Sequence, residues 1–594
     1  MMLRSPKGFF VQIRPRTPVH WFAIAAALLL TAAAYLQSAV FEFAYDDYGQ
    51  IVYNPRVQSW KLVWSNFTSH VWAHTGDLAL YYRPVFMLWL AANYALFGLH
   101  PLFWHLTTVG LHLAACGLFY VFARRLTENQ WTAVIATLLF GLHPAHVEAV
   151  AWISGATESL LAVLLFGSLL CYLRHRDSGK RGMTGSLAGS LVLAFLAALT
   201  KESALVLPGL IFSYEWAFYR ASPSWKDRLR SAVRAMLPYV PVSAAYLVVR
   251  ALVLKSAVPE QNMAGYRAVL LAWPEAIAFY IGHVLFPVHL SVFYKPLLVF
   301  HPGWQNFVLP LMAVAAGAGA LYYGSRRSRV FAFLSLWCIT LLVPMLNVTL
   351  WNNLENVHDR YLYLPSAAYC LILAMLLSRL KDLHHTRTVA AVLVLIAGGY
   401  IYVTEREMRY FRNDYELAQH GVALSPDHPI ALQLLGNSFI RQGRVAEAVP
   451  WLVDGIGVDP KNVQTLLSLG FCYSEMDNLL LAEESITRAI ALKGSEPRAH
   501  LLLGMVRLKQ NRLTEAEAEI RLGLRLQRQL LSEGETLYHY YLGNVLYAKG
   551  DVQGAVGEYL LETRNNPAND PAVATAQARL EEIYKRDSMP VPQH

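Results

Sequence analysis

From about residue 20 to about residue 404, long apolar runs alternate with short polar loops; beyond that point no apolar run is long enough to span a bilayer. Runs at 20–40, 103–123, 130–145, 155–173, 186–201, 203–219, 236–254, 305–324, 330–347, 361–379 and 388–404 give about eleven crossings, each near the ~20 residues that a ~30 Å hydrocarbon layer needs. Lipid offers the backbone no hydrogen-bond partners, so each run predicts a helix and the fold class is all-α, a polytopic helical domain. Two apolar stretches break the alternation. The stretch 273–287, bounded by Pro274 and Pro287, and the shorter 84–97 are expected to lie as re-entrant or interfacial helices over the outer mouth, broken at their prolines.

Loop charge sets the orientation. Arg4, Lys7, Arg14 and Arg16 precede the first run, and basic clusters recur at Arg124-Arg125, Arg174 to Arg181, Lys226 to Arg234, Arg326 to Arg329 and Arg379 to Arg387. The positive-inside rule places all of these, and the N-terminus, in the cytoplasm. The chain has 594 residues and a formal charge of +9, but its cations gather in loops rather than along one face, so nucleic-acid binding is not expected. Cys116, Cys171, Cys338 and Cys370 lie in apolar runs and Cys472 lies beyond them, which leaves no disulfide framework and no CxxC metal pair. No small-residue cleavage site follows the first run, so it reads as a retained anchor. Compact loops and the lack of a lumenal retention signal point to a bacterial inner membrane, with the C-terminal part periplasmic, or to the endoplasmic reticulum in a eukaryote. The sequons at Asn66 and Asn347 fall on the outer side and do not decide between the two.

The C-terminal part repeats with a period of 34. Leu435-Gly436, Leu469-Gly470 and Leu503-Gly504 are evenly spaced, and Leu542-Gly543 follows after an insertion at 531–535. Ala448, Ala482, Ala516 and Ala555 keep the same register, and Pro426, Pro460 and Pro567 mark repeat ends. This is the tetratricopeptide pattern, with small residues where paired helices touch. About four repeats follow a half-unit at 411–424, which divides the chain into a membrane domain, 1–404, and a solenoid, 405–585.

On this topology the unusual polar groups collect on the outer side, which argues for a pocket there. Asp46 and Asp47 follow the first run directly; a carboxylate pair at that depth is a candidate reacting centre or the solvated end of a helix. His143, His146 and Glu148 could ligate a metal, although Pro144 disrupts the helical spacing; capping or lipid-phosphate contact is the alternative. Arg360, beside Asp359, Tyr361 and Tyr363, could fork a phosphate or pair internally with Asp359 or another carboxylate. Lys201 and Glu202 read either as a self-neutralising pair or as a second phosphate contact. Trp60, Trp64, Trp72 and Tyr82 read as interface-belt aromatics whose faces also suit a sugar ring.

Asp46-Asp47-Tyr48 with Ile51 and Asn54, Tyr82-Arg83-Pro84, the His143 to Glu148 segment with Gly155 and Glu158, Lys201-Glu202, the block from 257–259 through Phe286-Pro287 to Tyr294, and Asp359 to Pro365 resemble, in this order, GT-C glycosyltransferases. The closest likeness is to the transmembrane-and-tetratricopeptide-repeat O-mannosyltransferases. The arginine motif departs from that family in reading His358-Asp359-Arg360, without a Glu before the Arg. The resemblance implies inverting transfer of mannose or another hexose from a polyprenyl-phosphate donor, on the non-cytoplasmic face, to a hydroxyl of a protein or peptide held on the concave face of the repeats. In that reading Asp47, in slight preference to Asp46, is the base; Arg360, Lys201, His143 and His146 bind the donor phosphate. Tyr82, Arg83, Glu148, Glu158, His358, Asp359, Tyr361 and Tyr363 line the pocket. No cofactor beyond the lipid-linked sugar is expected, and a divalent metal is possible but not favoured. Transfer to another lipid or a surface glycan, and a non-catalytic scaffold or transporter, are the competing readings.

Overall fold

The computed structural model describes residues 19–75, 80–179, 183–219, 224–254, 265–346, 356–382, 385–530, 537–565 and 571–587. Arg4, Lys7, Arg14, Arg16, Arg181, the stretch 257–259, the sequon at Asn347, the insertion 531–535 and Pro567 lie outside the described residues. Every regular element among the described residues is helical.

Among the described residues, eight helices are long and apolar enough to cross a membrane, or up to ten if each of two bent pairs counts once. The pairs are Gln130–Leu142 with Pro144–Ala151, bent by 55°, and Trp225–Met236 with Tyr239–Leu254, bent by 45°. Pro144 explains the first bend, since it cannot continue the hydrogen-bond ladder. In the second, the basic helix Trp225–Met236 exposes Trp225 and buries Ala232 against its neighbours before the chain turns into Tyr239–Leu254.

One of the eight, Arg267–Leu285, contains most of the stretch expected to be interfacial. Its Val269, Ala272, Ala276 and Tyr280 pack along their length on Ala145, Val299, Val357 and Leu362, and Val284 at its far end meets His143. Near its start, the Ala268 carbonyl accepts a hydrogen bond from Val299. The expected break at Pro274 is absent, because the helix Gly265–Leu285 runs through it and ends just before Pro287. Pro84–Phe97 is tied at one end by Arg83 to Glu202 and at the other by Phe97 stacked on Phe103. Against the eleven crossings expected, the described residues thus supply eight to ten, with Gly185–Thr200 apolar but shorter. Further helix ends are joined by Arg125 with Asp177, Arg176 with Glu215, and Thr132 with Ser378 at 2.8 Å.

The helix Thr386–Met408 crosses the expected division at residue 404 without a break. The half-unit Asp414–Leu424 follows, then the pairs Pro429–Arg441 with Val445–Val458, Val463–Glu475 with Leu479–Leu492, Pro497–Lys509 with Leu513–Gln529, and Tyr538–Ala548 with Val552–Asn565. Pro571–Asp587 closes the array. The two sequence marks of the repeat are contact partners: a Cβ on Gly436 would lie 2.6 Å from Leu452, and Ala448, Ala482, Ala516 and Ala555 are fully buried. The first repeats share one apolar core with the membrane helices, in which Leu417, Ala431 and Leu435 join Phe41, Phe293 and Met408; a second core serves the later repeats.

Candidate active site

Segments at one end of the membrane helices enclose a cavity of about 110 Å³, several times the space one water needs. Asp46, Gln50, Arg83, Lys201, His358 and Arg360 face it, with aromatic walls from Tyr45, Trp72, Tyr81, Trp152 and Tyr361. Loops at the ends of five helices therefore bring together residues more than three hundred positions apart.

Each of the three cations has its own carboxylate. Arg83 donates from Nε and Nη2 to Glu202 at 3.2 and 2.8 Å, Lys201 pairs with Glu158, and Arg360 donates its backbone N–H and Nη1 to Glu148 at 2.8 and 2.5 Å. The Lys201 ammonium also lies 4.9 Å from the Tyr361 ring, and the Arg360 guanidinium 5.4 Å from the Trp152 ring, contacts of cation–π range. Burial by itself would raise the Glu202 carboxyl, but the charge and hydrogen bonds of Arg83 outweigh it and bring it down to about 2. These pairs correct one expectation, since Lys201 and Glu202 do not neutralise each other; for Arg360 they meet the reading of an internal pair with another carboxylate, Glu148 rather than Asp359. Asp359 instead accepts from the Tyr294 hydroxyl at 2.5 Å and the Ser291 N–H at 3.0 Å, outside the cavity.

Of the acidic pair, Asp46 and not Asp47 lines the cavity. Asp47 is 1% exposed, and its oxygens accept from the Ser154 N–H at 2.8 Å, the Ser154 hydroxyl at 2.5 Å and the Ala44 N–H at 3.1 Å. Burial pushes its carboxyl up to about 7, with those donors pulling the other way. Asp46 faces the cavity, with Gln50 Nε2 3.5 Å from its Oδ2.

Both histidines expected at the phosphate are turned away. His143 Nε2 meets the Val284 carbonyl at 3.1 Å and its Nδ1 accepts from the Ala145 N–H, while His146 Nε2 meets the Ser366 hydroxyl at 2.8 Å. With Glu148 committed to Arg360, these three form no metal site, and no cluster of three such groups occurs among the described residues. Tyr82 is buried, donating to the Phe67 carbonyl, and Tyr363 is buried between His112 and His146, so neither reaches the cavity. His358 does reach it, its imidazole held well below the usual histidine range by burial. Ser154, Gln50 and Trp152 escape the sequence reading. Ser154 stands next to Gly155, but only the folded chain brings it to Asp47 from 107 positions away.

Residues 473–530 match a family model described as "Tetratricopeptide repeat". The human "Protein O-mannosyl-transferase TMTC1" is 27% identical over 506 residues, covering 75% of this chain and 56% of that protein. Its mouse counterpart is 35% identical over 205 residues, 32% of this chain and 22% of that one. The chain is similar to protein O-mannosyl-transferases along three quarters of its length. It spans about half the length of the curated relatives it matches. Among solved structures, "Crystal Structure of ArnT from Cupriavidus metallidurans bound to Undecaprenyl phosphate" aligns over 82% of this chain and 80% of that one at 18% identity and a TM-score of 0.32, too slight a likeness to define the fold.

Proposed function

We propose that the protein is an integral-membrane glycosyltransferase that moves a hexose, on the precedent of its relatives mannose, from a polyprenyl-phosphate donor to a hydroxyl of a protein or peptide. The single observation that carries this reading is the cavity in which Asp46 faces Arg83, Lys201 and Arg360. A hydroxyl is a weak nucleophile, so a carboxylate must take its proton as the oxygen attacks the anomeric carbon. The bond to the donor phosphate breaks with its electron pair leaving on the phosphate oxygen, where cations fixed in advance offset the growing charge. Attack from the face opposite the departing phosphate inverts the anomeric centre. Arg360 and Lys201 suit the phosphate; Trp72, Tyr81 and Tyr361 suit the sugar faces. The solenoid rests on the same layer as the cavity, which supports delivery of the acceptor from its concave side. Basic clusters in loops away from the cavity support a reaction on the non-cytoplasmic side of the membrane, periplasmic in a bacterium.

The test is transfer from radiolabelled polyprenyl-phosphate mannose to peptide by the purified full chain. Asp46→Asn is expected to lower turnover by about 10²–10⁴-fold, the usual weight of a general base, with donor binding retained. Asp47→Asn is expected to lower it less. Wild-type turnover in Asp46→Asn would remove the assignment, and a wild type that transfers nothing from any polyprenyl-phosphate hexose would leave a scaffold.

A further inference from the structure

Asp46 is carried on a strained turn. Tyr45, directly before it, has φ of 54°, in the left-handed region that non-glycine residues rarely occupy. Such backbone persists where its surroundings over-determine it. Trp152 donates its indole N–H to the Ala44 carbonyl at 3.2 Å and stacks on the Tyr45 ring at 5.6 Å, while Phe293 meets that ring edge-on at 5.3 Å. Within the turn the Ala44 N–H donates to Asp47 Oδ2 and the Asp47 N–H to the Ala44 carbonyl, both at 3.1 Å, and a further hold comes from outside the membrane part. The Tyr45 N–H donates to Asp414 Oδ1 at 2.5 Å, and Asp414, only 4% exposed, begins the first helix of the solenoid stem. Its other oxygen pairs with Arg441, at the end of the next helix, and the Arg441 guanidinium lies 5.1 Å from the Tyr48 ring. The stem thus holds the residue before Asp46 and the residue after Asp47. A further hydrogen bond, from the Glu42 N–H to the Arg412 carbonyl at 3.0 Å, fixes the same segment upstream.

We infer that Asp414 is a positioning residue, which sets the direction in which Asp46 enters the cavity and is itself set by Arg441 of the first repeat. The inference rests on Asp46 being the base, and it makes the solenoid a part of the reacting centre's scaffold as well as a place for the acceptor. A carboxylate suits this position because it accepts from a backbone N–H and a guanidinium at once. Displacing a reacting group by about 1 Å can cost about 10²-fold in rate, so loosening this turn should be felt in the chemical step rather than in binding.

The test compares full-length wild type, Asp414→Ala and Asp414→Asn. The asparagine keeps an oxygen for the Tyr45 N–H; the alanine does not. Hydrogen exchange of the amides at 44–48, measured without substrate, is expected to quicken about tenfold or more in Asp414→Ala and to stay within about threefold in Asp414→Asn. In the transfer assay kcat is expected to fall about 30- to 100-fold in Asp414→Ala, with acceptor KM and the Kd for polyprenyl phosphate within about twofold, and to recover within about threefold in Asp414→Asn. Unchanged exchange in Asp414→Ala overturns the inference whatever the activity, and so does a loss confined to KM or shared equally by both variants. An inactive wild type counts against the transferase alone, because the exchange arm is read without turnover. Should Asp414→Ala not fold, Arg441→Gln carries the same test. It leaves the Tyr45 bond without its second anchor, and exchange at 44–48 as slow as in wild type overturns the proposal.

Discussion

Lys201 and Glu202 are neighbours in sequence, yet they serve different ion pairs, because Lys201 has extended backbone, φ −159° and ψ 138°, and successive side chains on such backbone point opposite ways. The charges were legible in the sequence; their pairing was not, since it depends on which helix end stands across the cavity. Lys201→Met leaves the Glu158 carboxylate buried without a counter-charge, and unfolding in denaturant is expected to show a loss of about 3–5 kcal/mol. The double change Lys201→Met with Glu158→Gln is expected to recover most of that stability while polyprenyl-phosphate binding, followed by tryptophan quenching, stays weak. Recovery of binding in the double variant would reduce Lys201 to a structural partner. The acidic pair is a similar case. Adjacent carboxylates after an apolar run mark the place, but the positive φ of Tyr45 decides that Asp46 faces the cavity and Asp47 faces Ser154, and no local pattern announces it.

Helices were read well from apolar runs, and badly where chain direction depends on contacts. Charge parity argues that the stretch 273–287 does not cross, and its helix was legible from the apolar run. Its unbroken course through Pro274 was not, since the lost hydrogen bond is tolerated once Val269, Ala272 and Ala276 pack on one layer. An impermeant maleimide is expected to label Arg267→Cys and Phe286→Cys from the same side of the membrane and Arg327→Cys from the other; opposite-side labelling of the first two would make this helix a crossing. In the solenoid, His500 lies near Glu519, and His539 near Glu558, at equivalent places in successive repeats, 2.7 and 2.5 Å apart. The hydrogen bond to Glu519 raises the His500 imidazole above its ordinary value. A raised folded value means that this contribution is complete below the unfolded pKa, near 6.5, and is lost as pH rises through the folded one. Exchange protection of the helices Pro497–Lys509 and Leu513–Gln529, corrected for intrinsic rates, should therefore decline above pH 6.5 in wild type and lose that slope in Glu519→Gln. Gly436→Ala, by contrast, drives a methyl into Leu452 at any pH and is expected to cost about 1–3 kcal/mol.

At the scale of the molecule, the sequence shows two compositions and the structure shows one continuous interior across their boundary. The 34-residue period and the hydropathy pattern were each legible alone, but nothing local reveals that Phe293 packs against Gly421, or that Lys295 meets Asp427 at 3.0 Å. Because the later repeats keep their own core, a chain ending after residue 530 is expected to retain donor binding, whereas one ending after residue 412 strips Tyr45 of Asp414 and Phe293 of its cover and is expected to lose it. Equal donor binding by the two truncated chains would show that the cavity stands without the stem.

The helix Thr386–Met408 runs from within the apolar part directly to that stem, with no flexible joint between. An arm rooted in this way cannot sweep about in search of cargo; it presents one fixed angle of approach. Such an array can lengthen only at its free end, gaining reach away from the bilayer while the point of delivery beside its root stays where it is.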